Sequence, residues 1–176
     1  MRIPIIKKEH IATQRLVLKP FTDKDTEDIV ALLVDPVITR TFMVPLYETR
    51  AKYEELAKKL IAFSQPEDTI HFDYGIYLEN KLIGFIDDCG IEEDVIEIGY
   101  VIDPAYHGNG YATEAVKAVL PELREMGFKK VQAGYFEENP ASCRVMLKCG
   151  MHRIDEEDME EYRGKIHRCL YCETEL

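Results

Sequence analysis

Two glycines one residue apart, in the stretch YHGNGYATEAV (Tyr106–Val116), constrain this chain more than any other feature. Ahead of them lies VIEIGYVI (Val95–Ile102), which reads as a strand closed by Asp103-Pro104. Behind them, Ala112, Val116, Val119, Leu123 and Met126 fall on one helical stripe, and Gly127 suits the C-terminal cap. The unit is therefore strand, glycine loop, helix. A helix start leaves backbone N–H groups without partners and carries the positive end of the helix dipole. Glycines just before it let a ligand approach the backbone, so the two together make an anion site whose usual occupant is a diphosphate. A tight turn that binds nothing has the same two glycines. The dinucleotide fingerprint fails because Thr113 stands at its third glycine, and no Gly-Lys-Ser/Thr triplet completes a P-loop. The loop contains no Lys or Arg, which leaves His107 as its one source of positive charge.

The remaining pattern is a mixture of strands and helices. RLVLKP (Arg15–Pro20) alternates like a strand, and Thr22 or Asp23 then caps a helix through Ile29–Val34 that Asp35-Pro36 stops. A second helix is predicted from about Glu48 to Ser64. HFDYGIYL (His71–Leu78) and LIGFIDDC (Leu82–Cys89) flank Glu79-Asn80-Lys81 as a hairpin. KKVQAGYF (Lys129–Phe136) is another strand, Asn139-Pro140 opens a short helix that ends at Gly150, and the rest is a hairpin turning at Gly164. Pro121 lies inside the long helical pattern, where it costs about 3 kcal/mol and predicts a kink or break near Leu120. The fold class is α/β of the α+β type, in a single domain over residues 1–176.

Charge narrows the function. A net charge of −11 disfavours a nucleic-acid partner and is compatible with a cationic substrate. The five cysteines suit reduced thiols, and the absence of a signal-like or membrane-spanning run points to a cytoplasmic protein without a membrane partner. Cys169 and Cys172 resemble a metal pair, but on a strand residues three apart face opposite ways, so no metal is expected.

The segment DPAYHGNGYATEAV, preceded by EIGYVI, resembles the acyl-CoA-binding motif Q/R-x-x-G-x-G/A of the GNAT superfamily of N-acetyltransferases. TQRLVLKPFTDKD and ENPASCRVMLKCGM resemble the branch that contains the ribosomal-protein N-terminal acetyltransferases. The departure is His107, where the family usually carries Gln or Arg. The resemblance implies a three-layer fold whose mainly antiparallel sheet splays between Val95–Ile102 and Lys130–Phe136. It also implies acetyl-CoA as co-substrate. The backbone of Tyr100, Val101 and Ile102 would pair with the pantetheine arm. His107 and the amides of Gly108, Asn109, Gly110, Tyr111, Ala112 and Thr113 would hold the diphosphate. Asn139 would bond the pantetheine and Ser142 would sit near the sulfur. On charge alone, Arg144 and Lys148 are the candidates to meet the 3′-phosphate.

Acetyl transfer to an amine needs a proton acceptor, a polarised carbonyl and a stabilised thiolate. Glu97 is the candidate base, sharing a strand face with Gly99 and Val101; an ordinary solvent-facing glutamate reads the same. Ser142 is the candidate donor to the thiolate, because Met146 stands where related enzymes that use a tyrosine place it; a helix-start serine bonded to backbone reads the same, and a mechanism without a dedicated acid stays open. Asn139 is also a good helix cap without any ligand. The acidic run IDEEDMEE (Ile154–Glu161) reads as a solvated face or as the mouth of a cationic acceptor site. A peptide N-terminus, a polyamine, an amino acid and an aminoglycoside all fit as acceptor, and a monomer or homodimer fits as assembly. A non-catalytic acyl-CoA sensor is the alternative class.

Overall fold

The computed structural model describes residues 3–176. Its elements in chain order are β1 (Ile11–Ala12), β2 (Leu16–Lys19), α1 (Thr26–Val34), α2 (Arg50–Ser64), β3 (Tyr74–Leu78), β4 (Lys81–Glu92), β5 (Val95–Ile102), α3 (Tyr111–Met126), β6 (Lys130–Phe136), α4 (Pro140–Lys148), β7 (His152–Tyr162) and β8 (Lys165–Glu175). The strands form one eight-stranded sheet in the order β1-β2-β3-β4-β5-β6-β8-β7. Every pairing is antiparallel except β5 with β6.

Strand alternation divides the core between the two sheet faces. On one face Ile96, Ile98 and Ile102 of β5 and Val131 and Ala133 of β6 pack with Ala115, Val116, Val119 and Leu123 of α3 and with Cys143 and Met146 of α4. On the other, Phe85 and Val101 pack with Ile29, Val30, Leu32 and Leu33 of α1 and with Tyr53, Ala57 and Ile61 of α2. The result is the three-layer splayed architecture that the resemblance implied.

Local chemistry explains most boundaries. Asp25 Oδ2 accepts from the Thr22 backbone N–H at 2.7 Å, closing the turn ahead of α1. Glu79 and Asn80 both have positive φ at the β3–β4 turn, and Arg163 and Gly164 do so at the β7–β8 turn. The expected break at Pro121 does not occur. α3 runs as one helix from Tyr111 to Met126, with Pro121 on its exposed side and four fully buried residues holding the opposite stripe to the sheet. That burial outweighs the lost hydrogen bond.

The parallel contact is short: Val95, Ile96 and Glu97 face Lys130, Val131 and Gln132, and pairing then stops. Ile96 and Val131, both fully buried, anchor it. Ile96→Ala should therefore cost about 2–5 kcal/mol. Met159→Ala, at a side chain 65% exposed, should change stability by under about 0.5 kcal/mol. Denaturant titration of the two variants checks this; equal effects would place the anchor elsewhere.

Candidate active site

Beyond Glu97, β5 stays paired with β4 through Ile102 but has no strand partner on the β6 side. Over the same rise β6 pairs with β8, so Ala133–Phe136 diverge from β5. The split leaves the β6-side edge of Ile98–Ile102 without a strand, an edge that an extended chain can complete.

The glycine loop stands at the end of this edge. Gly108 and Gly110 have φ of 78° and 79°, a region a side chain rarely enters, and Gly110 is the N-cap of α3. A Cβ built on Gly108 would meet nothing within 4 Å. The bare backbone and the helix start fit a diphosphate on this structural ground alone. His107 Nε2 lies 2.7 Å from the Ile102 carbonyl, so its ring ties the loop back to β5. Asn109 Nδ2 donates to the carbonyls of Tyr106 and His107 at 3.0 and 3.1 Å.

Across the split, Asn139 caps α4, its Oδ1 accepting from the Ser142 N–H at 3.4 Å and its Nδ2 donating to Thr41 Oγ1 at 3.2 Å. The Tyr100 phenol lies 2.9 Å from the Ser142 carbonyl, to which it donates, and 3.0 Å from Ser142 Oγ. Burial raises the Tyr100 pKa above the usual phenol range, so its hydroxyl stays a donor. Thr41 belongs to the α1–α2 loop, which is strapped down by Tyr162: that phenol donates to the Thr39 carbonyl at 2.7 Å and accepts from the Val44 N–H at 3.2 Å.

On the α1–α2 face, Glu97 lies on β5 two residues before Gly99, and Gly99 pairs with Asp87 of β4. A Cβ built on Gly99 would lie 2.7 Å from Asp87 Oδ1, 3.0 Å from Cys89 Sγ and 3.3 Å from the Phe42 ring. Asp87 Oδ1 is buried and has no hydrogen-bond partner among the described residues. Burial pushes Asp87 up to about 7, with Asp88 adding to it, and burial beside Asp87 and Asp88 pushes Asp73 up to about 8. Burial also raises Glu97, helped by the charges of Glu156, Asp158 and Glu160 on β7. Asp158 accepts from the Tyr171 hydroxyl at 2.9 Å. The acidic run thus has two halves. Glu157 points to the other face, where Arg168 pairs with it at 2.6 Å, while Asp158 and Glu160 contribute to the field at Glu97.

Comparison with known proteins decides the family. The sequence profile described as Acetyltransferase (GNAT) domain matches residues 15–152. The chain belongs to the GNAT acetyltransferase family. It is 32% identical over 146 residues to the N-acetyltransferase YnaD of Bacillus subtilis, covering 82% of this chain and 83% of that one. Among solved structures, a GNAT-family acetyltransferase from Bacillus anthracis superposes with a TM-score of 0.78 at 25% identity, covering 94% and 98% of the two chains. The RimL ribosomal alpha-N-protein acetyltransferase, solved in complex with coenzyme A, shares the fold with a TM-score of 0.83 at 17% identity, covering 96% and 98%. This chain is therefore an acetyltransferase.

Within the GNAT domain the residues singled out by sequence fall into two groups. Tyr100, Val101, Ile102, the 107–113 loop, Asn139 and Ser142 border the split, and Glu97 lies at its closed end. Arg144 and Lys148 are exposed on α4. Two further histidines have partners: His71 Nδ1 contacts Asp68 Oδ2 at 2.9 Å, and His167 bonds Glu138 while stacking on Phe136. Cys169 and Cys172 are both buried, and Cys172 alone joins the core beneath α3 and α4. Among the described residues no cluster of three His, Cys, Asp or Glu is placed to hold a metal, and no helix is long and apolar enough to cross a membrane. Sequence reasoning missed Asp87; its one signal is an acidic pair at the end of the apolar run LIGFI.

A carboxyl group with a raised folded pKa binds its proton more tightly folded than unfolded, so it lowers stability as pH rises from its unfolded toward its folded value. Asp73 and Asp87 should therefore make this protein lose stability between about pH 5 and 8. Asp73→Asn should flatten that slope and raise stability at pH 8 by on the order of 1–3 kcal/mol. Urea titrations across this range check it; an unchanged slope in Asp73→Asn would mean that Asp73 is not held neutral.

Proposed function

We propose that this chain moves an acetyl group from acetyl-CoA directly to a primary amine on a cationic acceptor. The observation that carries the reading is the parting of β5 and β6 beside a positive-φ glycine loop at the start of α3. The fit to CoA is geometric: an unpaired strand edge for an amide-bearing arm, and bare amides for a diphosphate. Acetyl-CoA supplies a thioester whose carbonyl carbon forms the C–N bond as the C–S bond breaks and the thiolate leaves. The residues at the closed end suit the remaining tasks.

Glu97 takes the proton that the ammonium must lose before it attacks, either directly or through a water. Its raised pKa keeps it a competent acceptor closer to neutral pH. Ser142 Oγ hydrogen-bonds the departing sulfur, with the Tyr100 phenol behind it. The β7 acids Glu156, Asp158 and Glu160 favour a cation over a neutral or anionic acceptor, and the unpartnered Asp87 Oδ1 offers it a hydrogen-bond acceptor. RimL, a structural neighbour, acts on a protein N-terminus by name, and a peptide N-terminus and a polyamine both meet this description. Residues 100–102 bind the pantetheine, and Arg144 with Lys148 meets the nucleotide end.

The test is release of free thiol from acetyl-CoA in the presence of peptides, polyamines, amino acids and aminoglycosides. Amine-dependent release is expected. Tight CoA binding without release for any amine would instead favour a sensor. Glu97→Gln should lower kcat/KM by about 10²-fold or more below about pH 8, and less above it, where the acceptor sheds its proton unaided. A uniform loss at every pH would assign Glu97 to positioning.

A further inference from the structure

A diphosphate carries two negative charges, and backbone amides alone neutralise them only in part. The loop that receives it holds no Lys or Arg, and its one histidine is bonded to the Ile102 carbonyl. Matters are made worse by Glu114 in the first turn of α3, whose carboxylate repels a phosphate at the same helix start.

The structure brings in a cation from far away in sequence. Arg15, just before β2, donates its backbone N–H to Glu114 Oε1 at 2.8 Å and its Nε to Glu114 Oε2 at 2.7 Å. Thr13 Oγ1 adds a third bond to Glu114 Oε1 at 2.6 Å. The guanidinium lies over the Tyr111 ring, 4.5 Å from its centroid. These contacts fix the fork, yet they use only its Nε edge; Nη1 and Nη2 make no hydrogen bond among the described residues. Nη2 lies 3.6 Å from the point where a Cβ would sit on Gly110, the space that glycine leaves open beside the helix start.

We propose that Arg15 is the cation of the diphosphate site: its Nη groups pair with the CoA diphosphate over Gly110 while its Nε edge neutralises Glu114. This rests on the reading that the glycine loop holds CoA, and it adds a phosphate-binding residue from the β1–β2 turn, 93 positions before Gly108. A guanidinium already oriented by a carboxylate and an aromatic face loses little freedom on meeting a phosphate. It also ties cofactor binding to the β1–β2 turn, whose backbone Arg15 and Thr13 hold against α3.

Calorimetric titration of the full chain tests it, with three ligands: CoA, 3′-dephospho-CoA, and acetyl-pantetheine, which lacks the diphosphate. Arg15→Gln should weaken CoA and dephospho-CoA roughly 10- to 100-fold and leave acetyl-pantetheine unchanged. Arg15→Lys should recover part of the loss. Equal weakening of all three ligands would make Arg15 a structural residue, and loss for CoA alone would move it to the 3′-phosphate; either overturns the proposal. Unchanged CoA affinity in Arg15→Gln would overturn it while leaving the CoA reading intact, whereas a wild-type chain that binds none of the three would remove both. Should Arg15→Gln fail to fold, Arg15→Lys decides: weaker binding of CoA and dephospho-CoA with unchanged acetyl-pantetheine affinity is expected, and equal weakening of all three ligands, or none, contradicts the proposal.

Discussion

Three residue pairs of parallel strand, Val95–Glu97 against Lys130–Gln132, set the geometry on which everything else depends. The contact is closed below by Asp94, whose carbonyl accepts from the N–H groups of Lys129 and Lys130 and whose side chain pairs with Lys129 at 2.7 Å. Above it, each strand keeps its other neighbour, so neither is frayed by the parting. Antiparallel partners on both outer sides let the sheet open in the middle without losing its edges. A longer parallel ladder would fill the split; a shorter one would leave the two halves of the sheet joined only by helices.

The two faces of the sheet then divide the labour. The α3 and α4 face is apolar up to the glycine loop, and its helix start supplies donors to an anion. The α1 and α2 face carries the acids: Asp87 and Glu97 in the sheet, with Asp158 and Glu160 leaning in from β7. On the proposed reading, an anionic ligand and a cationic one would be sorted to opposite sides of one strand, β5. The α1–α2 loop ties the sides together, since Tyr162 holds it and Thr41 meets Asn139 at the start of α4.

Much of this was legible in the sequence because it rests on local rules. The Gly-x-Gly loop before an amphipathic run, the Asn-Pro helix start and the alternation of VIEIGYVI are contiguous, and each carries its own physical cause. The face shared by Glu97, Gly99 and Val101 followed from period two alone, and Val101 does lie in the α1–α2 core while Ile96 and Ile98 lie in the other. What stayed hidden depends on distance in the chain. Arg15 reaches Glu114, Tyr162 reaches Thr39, and His167 reaches Glu138 only once the sheet has formed. Pro121 failed as a local rule for the reciprocal reason, because tertiary packing of α3 overrode it.

Amide hydrogen exchange with and without CoA asks whether the strand split and the glycine loop hold the cofactor. CoA should slow exchange at the amides of Gly108–Thr113 and along the open edge of β5 through Ile102, and leave the distant α2 amides unchanged. CoA that binds tightly yet protects neither segment would contradict it, because the split and the glycine loop would then not be where the molecule is held.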